Sequence, residues 1–486
     1  MASNSKPHQA CIDEDRISGL PDEVLCHILS FLYTITAVRT CVLSHRWKNL
    51  WASVPNLKLL ICSPKSDYTC SPGFVDRVLS YHGSSRIHRF HLDCYGAHKY
   101  FSHVDEWICT AITRNVVELH LSLFPNPWQR YELPRTLFMC KTLVILKLRL
   151  QFDIVAIPPN SDCFPNLKFL HVSVCFPDVD SMKKLFSCCP ALEDLIIDGN
   201  VEKVPGDADT VLRLNVSAPK LKILKISLKG SWMRNVSITV NAPQLETLDL
   251  MENFFATYSL KNAKTLSKAK VDVQVYRRYH ADPGIDYAHR THRLFSGIIN
   301  VKSLSLAAPI LTNPCLEFQG PLPKFYNLNH LEVRLKTCSS WKSLTKLLEI
   351  SPNLENLVFE NNIKCHADHD KNDQWCQPET VPICLFPSLE TVRHDKNDQW
   401  CQPETVPTCL FSSLKTVCIR GFRWQSYEME AVKYMLKHGE ALNKVTVYAR
   451  NISAETQMEW QQEFVDFPRV SKTCQIELVQ LKDRDF

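Results

Sequence analysis

Residues 15–57 read DRISGLPDEVLCHILSFLYTITAVRTCVLSHRWKNLWASVPNL, and this stretch decides the N-terminal fold. A helix is predicted to open at Leu20-Pro21, because proline at the first helical position lacks only an N–H that would be unpaired there anyway. Two acidic residues follow at the positive end of the helix dipole, where negative charge is stabilising. Apolar residues then recur at helical spacing as far as Leu32.

Two shorter helices are predicted after the first one. We expect Thr36 to cap the second helix and Ser44 to cap the third, which carries Trp47. Together the three helices expose more apolar surface than about 40 residues can bury alone. The stretch therefore predicts either an interface with a partner protein or a cap on the rest of the chain.

The same stretch closely resembles the F-box of plant F-box proteins. The resemblance rests on four runs, namely DRISGLPDEVL at 15–25, ILSFL at 28–32, LSHRW at 43–47 and LW at 50–51. The sequence departs from the family pattern at Tyr33, where proline is usual, at Ile35, where lysine is common, and at His45, where lysine or arginine is usual. Tyr33 and Ile35 lie in a predicted connection, so neither departure affects the expected docking helices.

The F-box resemblance implies a partner. It implies that this domain docks onto the Skp-type adaptor of a cullin–RING ubiquitin ligase. The residues that it implies for adaptor binding are Leu20, Pro21, Val24, Leu25, Ile28, Leu29, Leu32, Leu43, Trp47, Leu50 and Trp51.

Composition limits the remaining function classes. The 486 residues, 45% of them hydrophobic, allow about three ordinary domains or one small domain followed by a repeat array. The net charge of +5 is spread along the chain, which does not indicate nucleic-acid binding. No signal peptide or membrane span is predicted, so we expect a cytoplasmic or nuclear protein with no membrane partner. The 21 cysteines are an odd number without a disulfide spacing, which indicates reduced thiols.

From about Val116 onward one sequence pattern recurs, and we call it the repeat phrase. It consists of a leucine, two variable residues, a leucine, one variable residue and another aliphatic residue. Successive middle positions at 146, 170 and 195, and at 224 and 248, are spaced 24, 25 and 24 residues apart. That period lies within the range of leucine-rich repeats and predicts a solenoid whose stacked units share one core. The alternative is a set of amphipathic strands in an ordinary α/β domain. The phrase occurs at 143–148, 167–172, 192–197, 221–226, 245–250, 328–333 and 354–359.

The C-terminal part of the chain resembles the FBD domain that closes many plant F-box/leucine-rich-repeat proteins. The resemblance rests on a predicted strand at 414–422, a helix at 428–436 and a strand at 442–448. Just before them, residues 369–393 recur almost unchanged as 394–418, and we interpret this tandem duplication as one extra solenoid turn or as a surface bulge. Residues 276–295 carry no repeat phrase and are predicted to form a loop or an irregular repeat.

These patterns give a fold class and a set of boundaries. The fold is predicted to be α/β, with an N-terminal three-helix F-box, a leucine-rich-repeat solenoid and an FBD-type C-terminal cap. The predicted domains are the F-box at 11–60, the repeats at 85–365 and the FBD-like domain at 366–486, which includes both copies of the duplication.

The sequence carries no recognisable catalytic or cofactor motif. Its 12 glycines are too widely spaced for a dinucleotide fingerprint, a P-loop or a nucleophile elbow. Cys365, His366, His369 and Cys376 form the best set of metal ligands, but the duplicated copy keeps only one histidine and one cysteine of it. We therefore predict a protein that is not an enzyme and has no metal and no cofactor.

The combined patterns predict the substrate-recognition subunit of a Skp-adaptor/cullin/F-box ubiquitin ligase. Its partners would be the Skp-type adaptor, through it the cullin and RING subunits, and an unidentified protein substrate. Two alternatives are a receptor that senses a small molecule on its repeats and an adaptor-bound scaffold without a degradation target.

Strand alternation predicts where the substrate binds. Side chains between the buried leucines, His120 and His171 among them, point to the opposite, concave face of the repeats. Apolar anchors among charges of both signs are typical of a protein-binding surface. The predicted substrate-binding residues are Lys147, Arg149, Phe169, His171, Ile196, Ile223, Lys225, Asp249 and Met251.

Overall fold

The structure is a computed structural model, and it forms two compact units, Met1–Phe152 and Asp153–Phe486, which are described separately. The described residues are 17, 19–62, 66–82, 86–124, 131–150, 163–174, 179–200, 212–230, 236–252, 256–273, 284–307, 310, 321–335, 340–361, 406–422, 426–450, 464 and 467–481.

The first unit combines helices with a parallel sheet. Its described strands pair in chain order, and they are β1 (Asn56–Ile61), β2 (Arg89–Tyr95), β3 (Glu118–Phe124) and β4 (Ile145–Leu150). Its described α-helices are α1 (Asp22–Leu29), α2 (Thr34–Arg39), α3 (Pro72–Tyr81), α4 (Phe101–Thr113) and α5 (Arg135–Phe138). Leucines alternate with polar residues along β3 and β4, and the leucines are buried.

The predicted F-box forms two α-helices rather than three. The first prediction is confirmed, since α1 begins after Pro21 with two acidic residues in its first turn. The predicted cap at Thr36 is wrong, because α2 already begins at Thr34. The predicted third α-helix is also wrong. Residues 44–49 form turns closed by bonds such as Trp47 N–H to Ser44 O, and a 3-10 helix follows at Leu50–Ser53.

The second unit is built around a larger parallel sheet. Its strands in sheet order are β5 (Phe169–Val174), β6 (Asp194–Asn200), β8 (Ile223–Lys229), β10 (Thr247–Glu252), β12 (Lys268–Val273), β13 (Ser303–Ala307), β14 (His330–Leu335), β15 (Asn356–Asn361), β16 (Thr416–Phe422), β17 (Lys444–Arg450) and β18 (Gln475–Leu481). A second parallel sheet has the order β11 (Thr257–Lys261), β9 (Val236–Asn241), β7 (Leu212–Ser217).

The described helices of the second unit follow the strands of the larger sheet. They are α6 (Val179–Ser187), α7 (Gly284–Gly297), α8 (Ser340–Glu349), α9 (Thr408–Ser412) and α10 (Ser426–His438). The loop predicted at 276–295 is wrong for residues 284–295, which lie in α7. Ala288, Thr291, Leu294 and Phe295 are buried along this helix at the spacing of one helical face. Residues 276–283 lie outside the described part of the chain.

The repeat phrase predicts its strands correctly. Every occurrence falls on a described strand, from β4 to β15, and its second and third aliphatic residues are buried, as Leu224 and Ile226 are in β8. The strands pair in parallel with neighbouring phrases in register, so Leu224 lies opposite Leu248. This is the arrangement of a leucine-rich-repeat solenoid. The strand–helix–strand order predicted for the FBD-like part is likewise present as β16, α10 and β17.

In the sequence, the first copy of the duplication falls between β15 and β16, and the second copy ends inside β16. Residues 362–405 lie outside the described part of the chain, and so do the whole first copy and the proposed metal-ligand set Cys365, His366, His369 and Cys376. β15 pairs with β16, the strand that ends the second copy, so that Leu357 lies opposite Val417. The strand expected to end at Val392 lies outside the described residues.

The parallel sheet of the first unit begins with β1 at Asn56–Ile61, inside the range predicted for the F-box. The domain boundaries remain predictions. In the described part of the chain, no helix is both long and apolar enough to cross a membrane.

Candidate functional site

The predicted F-box has a small core of its own. Leu25 and Leu29 of α1 pack with Ala37 of α2 and with Trp47 and Leu50 from the segment that follows. Leu20, Leu32 and Trp51 are partly buried against this cluster. Helices α1 and α2 therefore bury one apolar face each in this core, and their opposite faces point away from it.

The second face of α1 is apolar and exposed. Val24 and Ile28 lie four residues apart on one side of α1, and Phe31, two residues beyond the end of the helix, is 72% exposed. Val42 and Leu43, 82% and 64% exposed, carry further apolar surface after α2. We call these five residues the apolar patch. Exposed apolar residues gathered in this way are typical of a protein-binding surface.

Burial divides the predicted adaptor-binding set into two groups. Leu25, Leu29, Trp47 and Leu50 are at most 7% exposed and lie in the domain's own core, where their side chains face the other helical segments. The adaptor-binding role of the whole set remains a prediction. Among the predicted residues, Pro21, Val24, Ile28 and Leu43 are exposed. Sequence reasoning missed Phe31 and Val42, whose only signal was an apolar side chain next to the motif.

An ion pair connects the start of α1 to the turn segment that carries Trp47. The guanidinium group of Arg46 donates from Nε to Asp22 Oδ1 at 2.8 Å, and its Nη2 atom donates to the carbonyl oxygen of Leu20. Both side chains are partly exposed, so the pair contributes modestly to stability. Its geometric effect is to fix the turn at Leu20-Pro21 against the segment that carries Trp47.

The outward face of the first unit's sheet carries a row of basic side chains. Register places Lys58 opposite His91, His91 opposite His120, and His120 opposite Lys147. The imidazole rings of His91 and His120 meet edge to face with centroids 5.3 Å apart. We call these four residues the basic row. Their neighbours along each strand are buried leucines and Phe90, so the row lies on the opposite side of the sheet from the core.

Two carboxylates lie beside the basic row. His91 Nε2 lies 3.2 Å from Asp93 Oδ1. Burial alone would raise the pKa of Asp93, but hydrogen bonds from His91 and Ser122 and the nearby positive charges lower it overall. The hydrogen bond from Arg89 likewise holds the pKa of Glu118 below its usual range. Both carboxylates therefore remain ionised at neutral pH.

His120 is held in its neutral form. Its desolvation, together with the positive charges of Lys147 and His91, lowers its pKa to about 4. His120 therefore adds no positive charge to the basic row at neutral pH, and the permanent charges of the row are those of its two lysines.

Two cations of the same sheet lie over aromatic rings, Lys58 of the basic row and Arg149 of β4. The Lys58 amino group lies 4.2 Å from the centroid of the Tyr33 ring, which stacks on Tyr68. The Arg149 guanidinium lies 5.9 Å from the centroid of Phe124, which stacks on Tyr95 at 4.6 Å. Cation–π contacts of this kind orient a cation without neutralising it.

The outward face of the second unit's sheet is different in charge. It carries His171, whose Nε2 atom lies 2.7 Å from Asp198 Oδ2, together with Ile196, Lys225 and Asp249 in neighbouring register positions. Of the predicted anchors, Met251 is 41% exposed, whereas the expectation that Phe169, Ile196 and Ile223 are exposed is corrected to half-buried. The substrate-binding role of the predicted set remains a prediction.

A further ion pair lies across the same sheet. Arg334 Nη1 donates to Asp272 Oδ2 at 3.0 Å, across one intervening strand. Both side chains are largely buried, and a pair of this kind fixes the relative positions of its strands.

No cluster of three or more His, Cys, Asp or Glu side chains in the described ranges is placed to hold a metal ion. The cysteines in those ranges are free thiols, and burial raises the pKa of several of them, such as Cys70, to about 11. These buried thiols are poor nucleophiles at neutral pH.

Three family models match the chain. The F-box domain model matches residues 17–59, the model described as "FBD-associated F-box protein At5g56370, LRR repeats" matches residues 104–271, and the FBD model matches residues 402–447. The apolar patch and Lys58 lie within the first match, and His120 and Lys147 lie within the second.

Several proteins of Arabidopsis thaliana are similar over most of their length. F-box/LRR-repeat protein At4g14096 is 32% identical over 390 residues, which cover 77% of this chain and 79% of that protein. F-box/LRR-repeat protein At4g14103 is 34% identical over 72% of this chain and 92% of its own length. F-box/FBD/LRR-repeat protein At5g22660 is 28% identical over 96% of this chain and 97% of its own length.

Proposed function

The chain belongs to the plant F-box/FBD/leucine-rich-repeat protein family, and from that premise we propose that it is the substrate-recognition subunit of a Skp-adaptor/cullin/F-box ubiquitin ligase. In this role the F-box binds the Skp-type adaptor, which connects it to the cullin and RING subunits. The repeats and the FBD domain bind the protein that is to be ubiquitylated. The complex works in the cytoplasm, the nucleus or both.

The observation that carries the proposal is the apolar patch on a domain whose core is already complete. Leu25, Leu29 and Trp47 fill the core, yet Ile28 and Phe31 remain exposed on the same helix or directly after it. A helix that is apolar on both faces needs a partner on the second one, since burying such side chains contributes about 1.5–3 kcal/mol each. F-box domains generally bind Skp1-type adaptors, and the apolar patch suits that partner.

The receptor requires no reactive group of its own. Holding a target lysine close to the ubiquitin-charged enzyme of the complex raises the effective concentration of the reacting groups. What the receptor must supply is a rigid spacing between its two binding surfaces. Within each unit, parallel strands in continuous register form a scaffold that holds the unit's own surface in place.

Co-purification with a Skp-type adaptor tests this proposal. We expect the intact chain to retain the adaptor and the double variant Ile28→Asp with Phe31→Asp to lose it, because central interface residues are often worth about 2 kcal/mol or more. The matched control is Val470→Asp, which also places a carboxylate on an exposed aliphatic residue, 53% exposed and outside the F-box.

The control variant should retain the adaptor as well as the intact chain does. Equal adaptor recovery with the double variant would show that the apolar patch is not the docking surface. Failure of the intact chain itself to bind the adaptor would overturn the proposed function.

A further inference from the structure

The sheet of the first unit has an excess of positive charge on its outward face. The outward side chains of β1 to β4 include the cations Lys58, Arg89, Lys147 and Arg149, and the carboxylates Asp93 and Glu118. The carboxylates are paired with Arg89 and His91, whereas Lys58 and Arg149 lie over aromatic rings. Among these six side chains the cations outnumber the carboxylates by two, and three of the four cations belong to the basic row or are Arg149.

The corresponding face of the second unit lacks this excess near its start. The outward side chains of β5, β6, β8 and β10 carry the carboxylates Asp194, Asp198 and Asp249 and the cations Lys225 and Lys229. The same repeat architecture thus presents a cationic face in one unit and a mixed face in the other. Both faces belong to parallel repeat strands, so the difference in charge comes from the side chains. These side chains determine which partner fits the outward face of the first unit.

We propose that the basic row and the aromatic pair Tyr95–Phe124 bind an acidic segment of the protein that this receptor recruits. This inference rests on the proposed function and adds to it the chemistry of the partner. Carboxylate side chains of the segment pair with Lys58, Lys147 and Arg149. An apolar side chain of the segment packs on the Tyr95–Phe124 stack, where Tyr95 is 37% exposed.

The spacing of the row matches an extended peptide. Adjacent strands lie about 4.8 Å apart, so Lys58 and Lys147, on the first and fourth strands, are separated by about 14 Å at the backbone. In an extended segment alternate side chains are about 6.7 Å apart and point the same way. Carboxylates at the first, third and fifth positions of a segment that crosses the strands therefore span the row.

The cations are arranged so that binding costs little reorganisation. The Tyr33–Tyr68 stack already orients Lys58, and the Phe124 ring already orients Arg149. Lowering the entropy cost of ordering long side chains favours affinity. An excess of positive charge on an exposed face also accelerates encounter with an oppositely charged partner.

The test measures binding of a defined acidic peptide to the full chain. The probe is a fluorescein-labelled peptide of ten alternating Glu and Ser residues followed by Phe, and fluorescence anisotropy reports its binding. We expect saturable binding that weakens about tenfold between about 0.05 and 0.3 M NaCl, because salt screens exposed charges. A peptide with Gln in place of Glu should not bind.

Charge reversal locates the site. Lys58→Glu with Lys147→Glu should weaken binding of the acidic peptide at least about tenfold, since it turns two attractions into repulsions. The matched control is Lys183→Glu with Lys184→Glu, the same change of charge on exposed residues of α6. The control should change the affinity by less than about twofold, a distinction that general electrostatic attraction would not produce. Thermal unfolding of both variants checks that they fold.

Three results would overturn the inference. The first is that the acidic peptide binds the basic-row variant, Lys58→Glu with Lys147→Glu, as tightly as it binds the intact chain. The second is that the control variant loses as much affinity as the basic-row variant. The third is that the Gln peptide binds as tightly as the Glu peptide. Tighter binding of a single-stranded RNA octamer, lost in the basic-row variant, would assign the face to a nucleic acid instead. Adaptor co-purification separates the two proposals, because a chain that retains the adaptor but not the peptide refutes only this inference.

Discussion

The carboxyl group of Glu252 accepts a hydrogen bond from the hydroxyl group of Tyr258 in the interior of the second unit, where both side chains are at most 2% exposed. The second carboxyl oxygen accepts a hydrogen bond from the backbone N–H of Ala256 at 3.2 Å. Burial raises the pKa of Glu252 to about 7, although these hydrogen bonds and the charge of Arg290 act to lower it. This end of β10 is therefore sensitive to pH.

The first prediction is that Glu252 stabilises the folded state below about pH 4.5 and that this contribution is lost as pH rises through about 7. The folded state holds the Glu252 proton more tightly than the unfolded state, whose ordinary glutamate pKa is 4.5, so ionisation of Glu252 in that interval favours unfolding. The lowered pKa of His120 acts in the opposite direction between about pH 4 and 6.5, so the prediction is made for the difference between proteins. The loss amounts to at most about 3 kcal/mol. The free energy of urea unfolding of the intact chain, relative to that of Glu252→Gln, should therefore fall as pH rises over this interval. The exposed control Glu246→Gln should keep the pH dependence of the intact chain, and the same pH dependence in all three proteins would contradict the account.

The second prediction concerns Gly421, which has a φ of +72° at the irregularity between β16 and β17. A Cβ atom at this position would lie 2.6 Å from the carbonyl oxygen of Asn361. Gly421→Ala should lower the free energy of unfolding by about 1–3 kcal/mol, because strain and a backbone clash add together.

Gly73→Ala in α3 is the matched control for Gly421→Ala. No atom lies within 4 Å of its added Cβ, and alanine favours helix by about 0.5–1 kcal/mol over glycine. Gly73→Ala should therefore leave stability unchanged or raise it, as measured by urea unfolding. Equal destabilisation by both substitutions would show that the close approach at Asn361 is not the cause.

The third prediction concerns the duplicated segment. Because β15 pairs directly with β16, deleting residues 369–393 leaves Val417 opposite Leu357 and Ile419 opposite Phe359. The midpoint of thermal unfolding should shift by less than roughly 2 °C. Deleting residues 394–418 instead should also be tolerated, since Leu389 and Val392 then replace Leu414 and Val417. Aggregation of both deletion variants would show that two copies are needed for folding.

The fourth prediction separates the core of the F-box from its surface. Trp47→Ala should destabilise the domain by about 3–5 kcal/mol and lose the adaptor because the domain unfolds. Phe31→Ala should leave stability within about 0.5 kcal/mol and weaken adaptor binding directly. Circular dichroism and the dissociation constant for the adaptor distinguish the two variants. Unchanged adaptor affinity in Phe31→Ala would remove this residue from the docking surface.

The repeat strands could be predicted from the sequence because a buried leucine is required at fixed places in every unit. Leu224 and Leu248 are 24 residues apart in sequence and face each other in register. The second sheet, β7, β9 and β11, was missed because its alternating residues, such as Leu212 and Leu214, do not follow that phrase. Helix α7 was missed for a different reason, since its many Arg and His residues concealed an apolar face.

The candidate surfaces were harder to predict than the strands. Helix α1 is apolar on two faces, so its spacing alone could not show that Leu25 and Leu29 face inward while Val24 and Ile28 face outward. The basic row joins residues that are about thirty positions apart, and only the strand register brings them together. Local sequence carries no signal for such a row, because its members belong to four separate strands.

The most direct test of the central claim is proximity labelling in cells with the proteasome blocked, comparing the intact chain with the Ile28→Asp, Phe31→Asp variant. If the chain recruits proteins for ubiquitylation, the intact chain labels the Skp-type adaptor and the cullin, and the variant does not. Target proteins should be labelled by both chains but carry ubiquitin only with the intact chain. Labelled proteins whose ubiquitylation is the same with the intact chain and the variant would contradict the account.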